Sequence, residues 1–407
     1  MPTAVATPSA IPTKTALPTR PAGPSTTPTP IPYPSATPTL EAAPPSGTPA
    51  PVLAVTITHI KMFDTLTGWA EGEVEGGATR IFRTTDGGRT WRDVSPLADD
   101  DNGISFLLDG QVAWVSSLWG PAQVWRTEDG GQTWTSLEGV GWSHDVWFND
   151  NQHGWKESGQ AGGMSAPRHD ITSFAVTQDG GQTWEEVNPP PGDGFPFLAF
   201  PDERTAWVIW AAKRGAVEGS PNLGAPIDVL TSFDGGRTWT PRMLPLPPET
   251  FTVEIEYEGT FLGGVGNCDF ISPVYSSTSV WKAALTCESR SWMYTSANQG
   301  RTWIISAMPA GLLAEVEFVN PTVGWLHLPD WEDPEGRLYR TTDGGQTWAL
   351  LKRTGWRNVE LSFVDTQTGW AVVCPDLVCY YEDSVRAFVK TADGGRTWQT
   401  LEPQLTP

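Results

Sequence analysis

Apolar and polar residues alternate in short runs between residues 52 and 404, and turn residues separate the runs. In the first unit, residues 59–63 alternate and stop at Asp64, and further runs follow at 68–74, 80–84 and 90–94. Alternation with a period of two is typical of a half-buried β-strand. Because no apolar period of 3.6 residues is sustained, the pattern predicts groups of four strands and few helices.

One phrase, Ser/Thr-x-Asp/Asn-x-Gly-x-Thr-Trp, returns seven times with a spacing near fifty residues. A unit of that length cannot bury its apolar face alone, so the units must pack on one another. The third residues of the seven copies are Asp86, Asp129, Asp179, Asp234, Asn298, Asp343 and Asp393. The copies end at Trp91, Trp134, Trp184, Trp239, Trp303, Trp348 and Trp398.

A second phrase, ending in a small residue and Trp, precedes each copy of the first. Its tryptophans are Trp69, Trp114, Trp155, Trp207, Trp281, Trp325 and Trp370. Two tryptophans in each of seven units account for most of the 22 in the chain, which indicates a structural role for them.

The first phrase predicts a tight turn between the third and fourth strands of each unit. Gly87 and Gly88 can adopt positive φ, and the Asp86 carboxylate can accept backbone N–H groups within the turn. We expect the following Trp to pack on the next unit, where a large ring buries the most apolar area.

The first phrase resembles the Asp-box, or bacterial neuraminidase repeat (BNR), over nearly all of residues 52–404. Together with the upstream phrase, as in Thr67-Gly68-Trp69-Ala70, it resembles the photosystem II stability and assembly factor type. The resemblance implies an all-β, seven-bladed β-propeller of four-stranded antiparallel blades. Asp-boxes also occur in sialidases, xyloglucanases and sortilin-type receptors, so the fold does not identify an activity.

Residues 1–51 are dominated by Pro, Thr, Ser and Ala and predict a disordered stalk ahead of the propeller domain at 52–404. A plain linker and a Pro-rich ligand motif are both open for this stalk. No apolar stretch is long enough to span a bilayer, and we expect tethering through the stalk. A net charge of −21 and a pI near 4.5 argue against nucleic acid and anionic lipid partners.

The four cysteines predict two disulfides, Cys268 with Cys287 and Cys374 with Cys379, since each pair falls within one unit. Such bridges indicate an extracytoplasmic location, whether secreted, periplasmic or at the cell surface. The alternative is four reduced thiols in a cytosolic protein. No metal or cofactor is expected, because neither pair has metal-ligand spacing and the acidic clusters match no complete calcium loop.

Long insertions at 158–172, 211–227, 244–267 and 375–386 should all emerge on one face of a propeller, opposite the Asp-box turns. Loops on a rigid scaffold are the usual place for binding. The predicted ligand-binding residues on this face are Trp142, His144, Arg168, His169, Trp210, Arg214, Trp331, Trp356 and Arg357. The alternative for the tryptophans is that they plug the channel or cap loops.

These features favour a non-enzymatic, extracytoplasmic binding and assembly scaffold with a protein or glycan ligand on the insertion face. The resemblance to assembly factors implies help in building a membrane complex. The alternative is a secreted carbohydrate-active protein, either a sialidase- or xyloglucanase-like glycoside hydrolase or a glycan-binding module. No catalytic residue is assigned, since Arg80-Ile81-Phe82 does not match the Arg-Ile-Pro phrase of sialidases.

Overall fold

The structure, a computed structural model, contains seven four-stranded antiparallel blades arranged in a ring, with no helix among the described residues. Blade one gains a fifth, parallel strand. The predicted seven-bladed β-propeller is therefore confirmed. The structure describes residues 55–74, 77–97, 102–117, 123–137, 146–159, 171–191, 195–211, 228–245, 247, 252–257, 260–265, 268–287, 290–311, 315–329, 336–374 and 386–406. The predicted stalk lies outside these ranges.

The strands of the first four blades follow one another in chain order within each sheet. Blade one consists of β1 (Thr56–Met62), β2 (Gly68–Glu73), β3 (Arg80–Thr84) and β4 (Thr90–Asp93). Blade two consists of β5 (Asn102–Leu107), β6 (Ala113–Ser117), β7 (Val124–Thr127) and β8 (Thr135–Leu137). Blade three consists of β9 (Val146–Phe148), β10 (Gly154–Gly159), β11 (Ile171–Thr177) and β12 (Glu185–Val187). Blade four consists of β13 (Phe195–Ala199), β14 (Ala206–Ala211), β15 (Asp228–Ser232) and β16 (Thr240–Met243).

A separate hairpin, β17 (Thr252–Tyr257) with β18 (Thr260–Val265), lies within the insertion before blade five. Blade five consists of β19 (Cys268–Ser276), β20 (Trp281–Cys287), β21 (Arg290–Ser296) and β22 (Ile304–Ala307). Blade six consists of β23 (Glu315–Phe318), β24 (Gly324–Leu328), β25 (Gly336–Thr341) and β26 (Ala349–Thr354). Blade seven consists of β27 (Asn358–Phe363), β28 (Gly369–Cys374), β29 (Ala387–Thr391) and β30 (Gln399–Leu401), and β31 (Gln404–Thr406) follows it.

The first strand of each blade is the innermost, because β1 contacts β27, β27 contacts β23 and β23 contacts β19. Strand direction then alternates outward across the blade. The first-to-second and third-to-fourth turns therefore share one end of the ring, which we call the Asp-box face. The second-to-third and fourth-to-first connections, including the insertion between β28 and β29, leave from the other end, the insertion face.

The second-strand tryptophans form the contacts that join one blade to the next. All seven are at most 2% exposed. The indole N–H of Trp325 in blade six donates to the Gly394 carbonyl in the blade-seven turn at 3.0 Å, and that of Trp370 donates to the Gly87 carbonyl in blade one at 3.0 Å. A buried indole thus satisfies its only donor while linking two blades.

Blade five breaks this pattern. Lys282 donates to the Gly344 carbonyl at 2.7 Å, and the Trp281 indole nitrogen beside it is buried without a hydrogen-bond partner. Its turn also places Gln299 at φ 59°, where the regular boxes carry glycine. Blade five is therefore the least regular of the seven in its turn chemistry.

The Asp-box tryptophans pack against the preceding blade, so the expectation that they face the next one is wrong in direction. Trp134 of blade two meets Trp69 of blade one edge-on at 6.4 Å, and Trp303 of blade five lies 6.0 Å from Trp207 of blade four. Most of them are half-buried, but Trp91 is fully buried.

Burial of Trp91 follows from the way the ring closes. The strand β31 pairs in parallel with β4 as a fifth strand of blade one, with Leu405 opposite Trp91. The Thr406 hydroxyl donates to the Trp91 carbonyl at 3.2 Å. The strand β31 therefore joins residues 404–406 to the first blade.

Candidate functional site

A cavity of about 490 Å³ opens between blades six, seven and one, at the strand ends from which the insertion between β28 and β29 leaves. Its volume lies in the range of small-ligand sites. Its described lining residues are Thr58, His59, Glu315, Asn358, Val359, Glu360, Val372, Val373, Cys374 and Arg386. The cavity therefore belongs to the insertion face, where the sequence predicts binding.

Glutamates on the inner strands dominate the electrostatics of this region. Burial raises the pKa of Glu315 to about 8, and repulsion from Glu317 and Glu360 adds to the effect of burial. Burial also raises the pKa of Glu317 to about 7, against the attraction of Lys61, whose ammonium lies 3.6 Å from a Glu317 carboxylate oxygen. Protons therefore remain on this cluster near neutral pH.

Cationic groups of the cavity already have partners. The imidazole Nδ1 of His59 lies 3.2 Å from a Glu71 carboxylate oxygen, and the pKa of His59 is raised chiefly by this hydrogen bond. The Arg386 guanidinium donates to the Thr58 carbonyl at 3.2 Å. The cavity can thus offer a ligand both carboxyl and cationic hydrogen-bonding groups beside a wall of valines.

The Asp-box carboxylates on the opposite face are occupied by their own turns. One Asp129 oxygen accepts N–H groups from Gln132 and Thr133, each at 2.9 Å, and the other accepts the Thr133 hydroxyl at 2.6 Å. Hydrogen bonds from Thr133, joined by one from Thr127, lower the pKa of Asp129 to about 2. The carboxylate is thus held ionised and saturated with donors, and it fixes the turn.

Asp86, Asp179, Asp234, Asp343 and Asp393 accept matching bonds from the Thr four residues later. In blade five, the Asn298 side-chain oxygen accepts the Thr302 amide at 2.9 Å, and its amide donates to the Thr302 hydroxyl at 2.8 Å. An amide can therefore replace the carboxylate in this turn.

Few of the predicted ligand-binding residues lie in the described part of the chain. Trp142, His144, Arg168, His169, Arg214 and Trp331 fall outside it. The backbone of Trp210 lies in β14, paired with Pro196. Trp356 and Arg357 lie in the connection that leads into β27, on the insertion face.

Trp356 packs between blades rather than facing open solvent. Its ring meets that of Trp398 edge-on at 5.2 Å and lies 6.2 Å from the His327 imidazole. The Arg357 amide donates to the Cys374 carbonyl at 2.9 Å, next to the cavity lining. A role of these two residues in ligand binding stays a prediction.

The cysteine pairs remain predictions, although the structure bears on each. Cys374 is disulfide-bonded, while Cys379 lies outside the described residues. The Cα atoms of Cys268 and Cys287 are direct partners across β19 and β20. No described cysteine is free.

One group on the Asp-box face has the composition of a cation site. The His153 Nδ1 lies 2.9 Å from a carboxylate oxygen of Asp150 and 3.9 Å from one of Glu203. All three side chains are roughly one-third to one-half exposed, at 47% for Asp150, 31% for His153 and 56% for Glu203. We assign no metal to this group, because its contacts are those of a hydrogen-bonded surface ion pair.

Sequence reasoning missed the inner-strand glutamates Glu315, Glu317 and Glu360. The signal that could have found them is alternation within β23, where Glu315 and Glu317 alternate with Val316 and Phe318. A strand whose non-core face carries two acids must present them to a polar space, which in a propeller is the central channel.

Residues 339–350 match the family model described as the BNR/Asp-box repeat. The match covers the turn of blade six, and the turns of the other blades contain the same hydrogen-bonded Asp or Asn. The chain is a seven-bladed β-propeller with a BNR/Asp-box repeat in blade six. No curated protein matches the sequence. Among the described residues there is also no helix with the length and apolar character needed to cross a membrane.

Three solved structures are similar to the chain at low identity. YCF48 bound to a D1 peptide is 16% identical, with 85% of this chain and 91% of that chain covered and a TM-score of 0.44. A prolyl endopeptidase is 13% identical, with 86% and 50% covered and a TM-score of 0.56, so this chain spans half of that enzyme. The propeller domain of the Trilobed protease from Pyrococcus furiosus is 9% identical, with 87% and 100% covered and a TM-score of 0.54.

Proposed function

We propose that the protein is a non-enzymatic, extracytoplasmic binding scaffold that holds a peptide segment of a partner protein at its insertion face and assists the assembly of a membrane complex. The observation that carries this proposal is the cavity between blades six, seven and one. It lies at the face from which the connection between β28 and β29 leaves, where the sequence predicts the insertions, and its volume accommodates several side chains of a peptide.

The composition of the cavity favours a peptide over a sugar. Thr58, His59, Asn358 and Arg386 provide hydrogen-bonding groups, and Val359, Val372 and Val373 provide an apolar wall. None of the described lining residues is Trp, Tyr or Phe, whose flat faces would support a sugar ring. A peptide backbone with mixed side chains matches such a wall.

The state of the carboxylates supports a non-enzymatic role. The Asp-box acids are saturated by turn donors, as the bonds to Asp129 illustrate. Among the inner-strand acids, Glu360 accepts the Ile60 amide at 3.0 Å and Glu317 accepts the Phe363 amide at 2.9 Å. These carboxyls are engaged in holding strands, whereas a general acid or base must be able to reach a substrate proton.

The bridge at Cys374 supports the extracytoplasmic location, since structural disulfides persist in oxidising compartments. The paired Gly-Trp and Asp-box phrases, which resemble those of assembly factors, support the assembly role. Mass spectrometry of protein from its native compartment, purified without reductant, should detect no alkylatable thiol. Four alkylatable cysteines would contradict the location.

A glycoside hydrolase is the second candidate, because Glu315 and Glu360 both reach the cavity and a carboxyl with a pKa of about 8 is protonated at neutral pH. A general acid in a glycosidase needs that protonation state. Assays with sialosides and xyloglucan test this candidate, and a rate abolished by Glu315→Gln would favour it over the scaffold.

The binding test uses an array of peptides covering the extracytoplasmic segments of the host's membrane proteins, beside a glycan array. The site variant is His59→Ala with Asn358→Ala, since both residues are exposed and line the cavity. The matched control is Gln132→Ala with Gln346→Ala, two exposed residues on the Asp-box face. The control should leave the melting temperature unchanged. The site variant loses the His59 contact with Glu71, so its binding is measured at a temperature at which circular dichroism shows it fully folded.

We expect the wild type and the control to bind the same peptides, and the site variant to lose at least tenfold in affinity. If the site variant still binds and the control does not, the binding site lies on the Asp-box face, which would contradict the proposal. Binding to glycans alone would favour the carbohydrate-active alternative.

A further inference from the structure

The inner strand of each blade is the edge of a sheet. At the two seams between blades six, seven and one, the backbone N–H groups of that edge are hydrogen-bonded in the same way. An edge strand presents backbone N–H groups that need partners. Glu317 in β23 accepts the Phe363 amide of β27 at 2.9 Å, and Glu315 accepts the Leu361 amide two residues earlier. Side chains of blade six thus hold the inner strand of blade seven.

The same arrangement recurs at the next seam. Glu360 in β27 accepts the Ile60 amide of β1 at 3.0 Å, and Ser362 accepts the Met62 amide at 2.8 Å. At both seams, side chains two residues apart on one inner strand therefore accept amides two residues apart on the next. We call Glu315, Glu317, Glu360 and Ser362 the inner ladder.

The inner ladder concentrates acidic groups with few counter-charges. Three of its four members are glutamates, and Glu71 of β2 adds a fourth carboxylate through its contact with His59. The cations that act on the ladder are Lys61 and His59 from β1. Arg386, from the segment before β29, lines the same cavity as Glu315 and Glu360. His59 and Lys61 offset part of the acidic charge, and the buried setting strengthens the remaining repulsion.

We propose that the inner ladder is a proton-responsive latch, which holds blades six, seven and one together while its glutamates share protons and loosens their seams when all of them ionise. A neutral carboxyl still accepts an amide through its carbonyl oxygen, so protonation keeps the strand contacts and removes the repulsion. This inference does not rest on the proposed function, because it concerns the ring itself.

The raised pKa values of the glutamates support the latch and determine whether the stability of the ring rises or falls with pH. Burial and neighbouring carboxylates raise the folded pKa of Glu315 to about 8, and burial raises that of Glu317 to about 7, from an ordinary value of 4.5. At pH values between 4.5 and these folded pKa values, the folded state therefore binds more protons than the unfolded state. The stability that the two groups contribute is fully present below pH 4.5 and is lost as the pH rises through their folded pKa values of about 7 and about 8.

The test compares thermal melting of the full chain at pH 5, 7 and 9 in the wild type, Glu315→Gln and Glu402→Gln. Gln keeps the acceptor for the Leu361 amide without the charge. Glu402 is exposed and serves as the matched control. Differences between variants at each pH remove the contributions of all other titrating groups.

We expect Glu315→Gln to melt like the wild type at pH 5 and several degrees higher at pH 9, while Glu402→Gln follows the wild type throughout. Parallel profiles for Glu315→Gln and the wild type would overturn the proposal. If Glu315→Gln fails to fold, Glu317→Gln replaces it with the same expected direction.

Amide hydrogen exchange locates the effect. After correction for intrinsic rates, protection of the β27 and β1 segments should fall from pH 7 to pH 9 more than protection of β9 (Val146–Phe148), which lies away from the ladder. An equal fall in all three segments would mean that the whole ring loses stability without a local latch, and would contradict the proposal.

Discussion

Two sets of carboxylates occupy opposite situations in this propeller. The Asp-box acids sit on the surface with several donors each, and the pKa of Asp129 falls to about 2 through bonds from Thr133 and its neighbours. The inner-strand glutamates sit in the channel wall with few donors, and burial raises the pKa of Glu315 to about 8. Donor number and solvation, rather than residue type, therefore decide the charge state.

The comparison also separates a repeated feature from a local one. The Asp-box turn is built seven times from residues within four positions of the box Asp, with Asn298 in its place in one copy. The inner ladder is observed at two neighbouring seams and joins residues that are 46 and 300 positions apart. The repeat stabilises each blade, and the ladder joins particular blades.

The largest expected effect comes from cutting the link between a blade and the next Asp-box turn. Trp325→Ala removes a fully buried ring that stacks on Phe363 at 3.5 Å and donates to the Gly394 carbonyl. We expect a loss of about 3–5 kcal/mol in urea unfolding, as for other large-to-small core changes. Trp348→Ala, at a half-buried Asp-box position, is the control and should cost less. Equal losses would show that the two tryptophan sets contribute alike.

A smaller effect is expected from the turn acid itself. Asp343→Ala removes the acceptor of the Thr341 and Thr347 hydroxyls and of the Thr347 amide. We expect a loss of about 1–3 kcal/mol in urea unfolding at pH 7. Asp343→Asn should cost less, because Asn298 already performs this role in blade five.

The cost of Asp343→Ala should also depend on pH. Hydrogen bonds from Thr347 and Thr341 lower the folded pKa of Asp343 against the effect of burial, so its contribution is present above pH 3.8 and disappears as the pH falls below it. A cost that is unchanged at pH 2.5 would mean that charge plays no part in the turn.

The smallest effect concerns the irregular turn of blade five. Gln299 has a φ of 59°, a conformation that glycine adopts without strain. Gln299→Gly should therefore stabilise the protein by about 0.5 kcal/mol, less than the full strain because the side-chain bond to the Thr278 carbonyl is lost. Gly344→Gln in blade six is the reciprocal control and should destabilise. A destabilising Gln299→Gly would show that its side-chain bond outweighs the strain.

The sequence predicts the features that depend on contacts between residues close together in the chain, and not those that depend on contacts between distant residues. The Asp-box turn is encoded locally, since Asp86 bonds to Thr84 and Thr90 within four residues, so the sequence predicts the strands and the number of blades. The inner ladder was not predictable in this way, because Glu360 meets Ile60 only after the ring has closed. Trp356 illustrates the same limit, since its packing on Trp398 brings the connection between β26 and β27 against the residue that precedes β30.

Closure by β31 has a consequence for the time course of synthesis. The strand β4 is synthesised long before its parallel partner β31, since Trp91 and Thr406 are 315 residues apart. At translation rates of about 5–20 residues per second, roughly 15 to 60 s pass before that partner exists. During this interval the β4 edge is open to pairing with other chains, and a chaperone that covers it would be needed most early in the life of the protein.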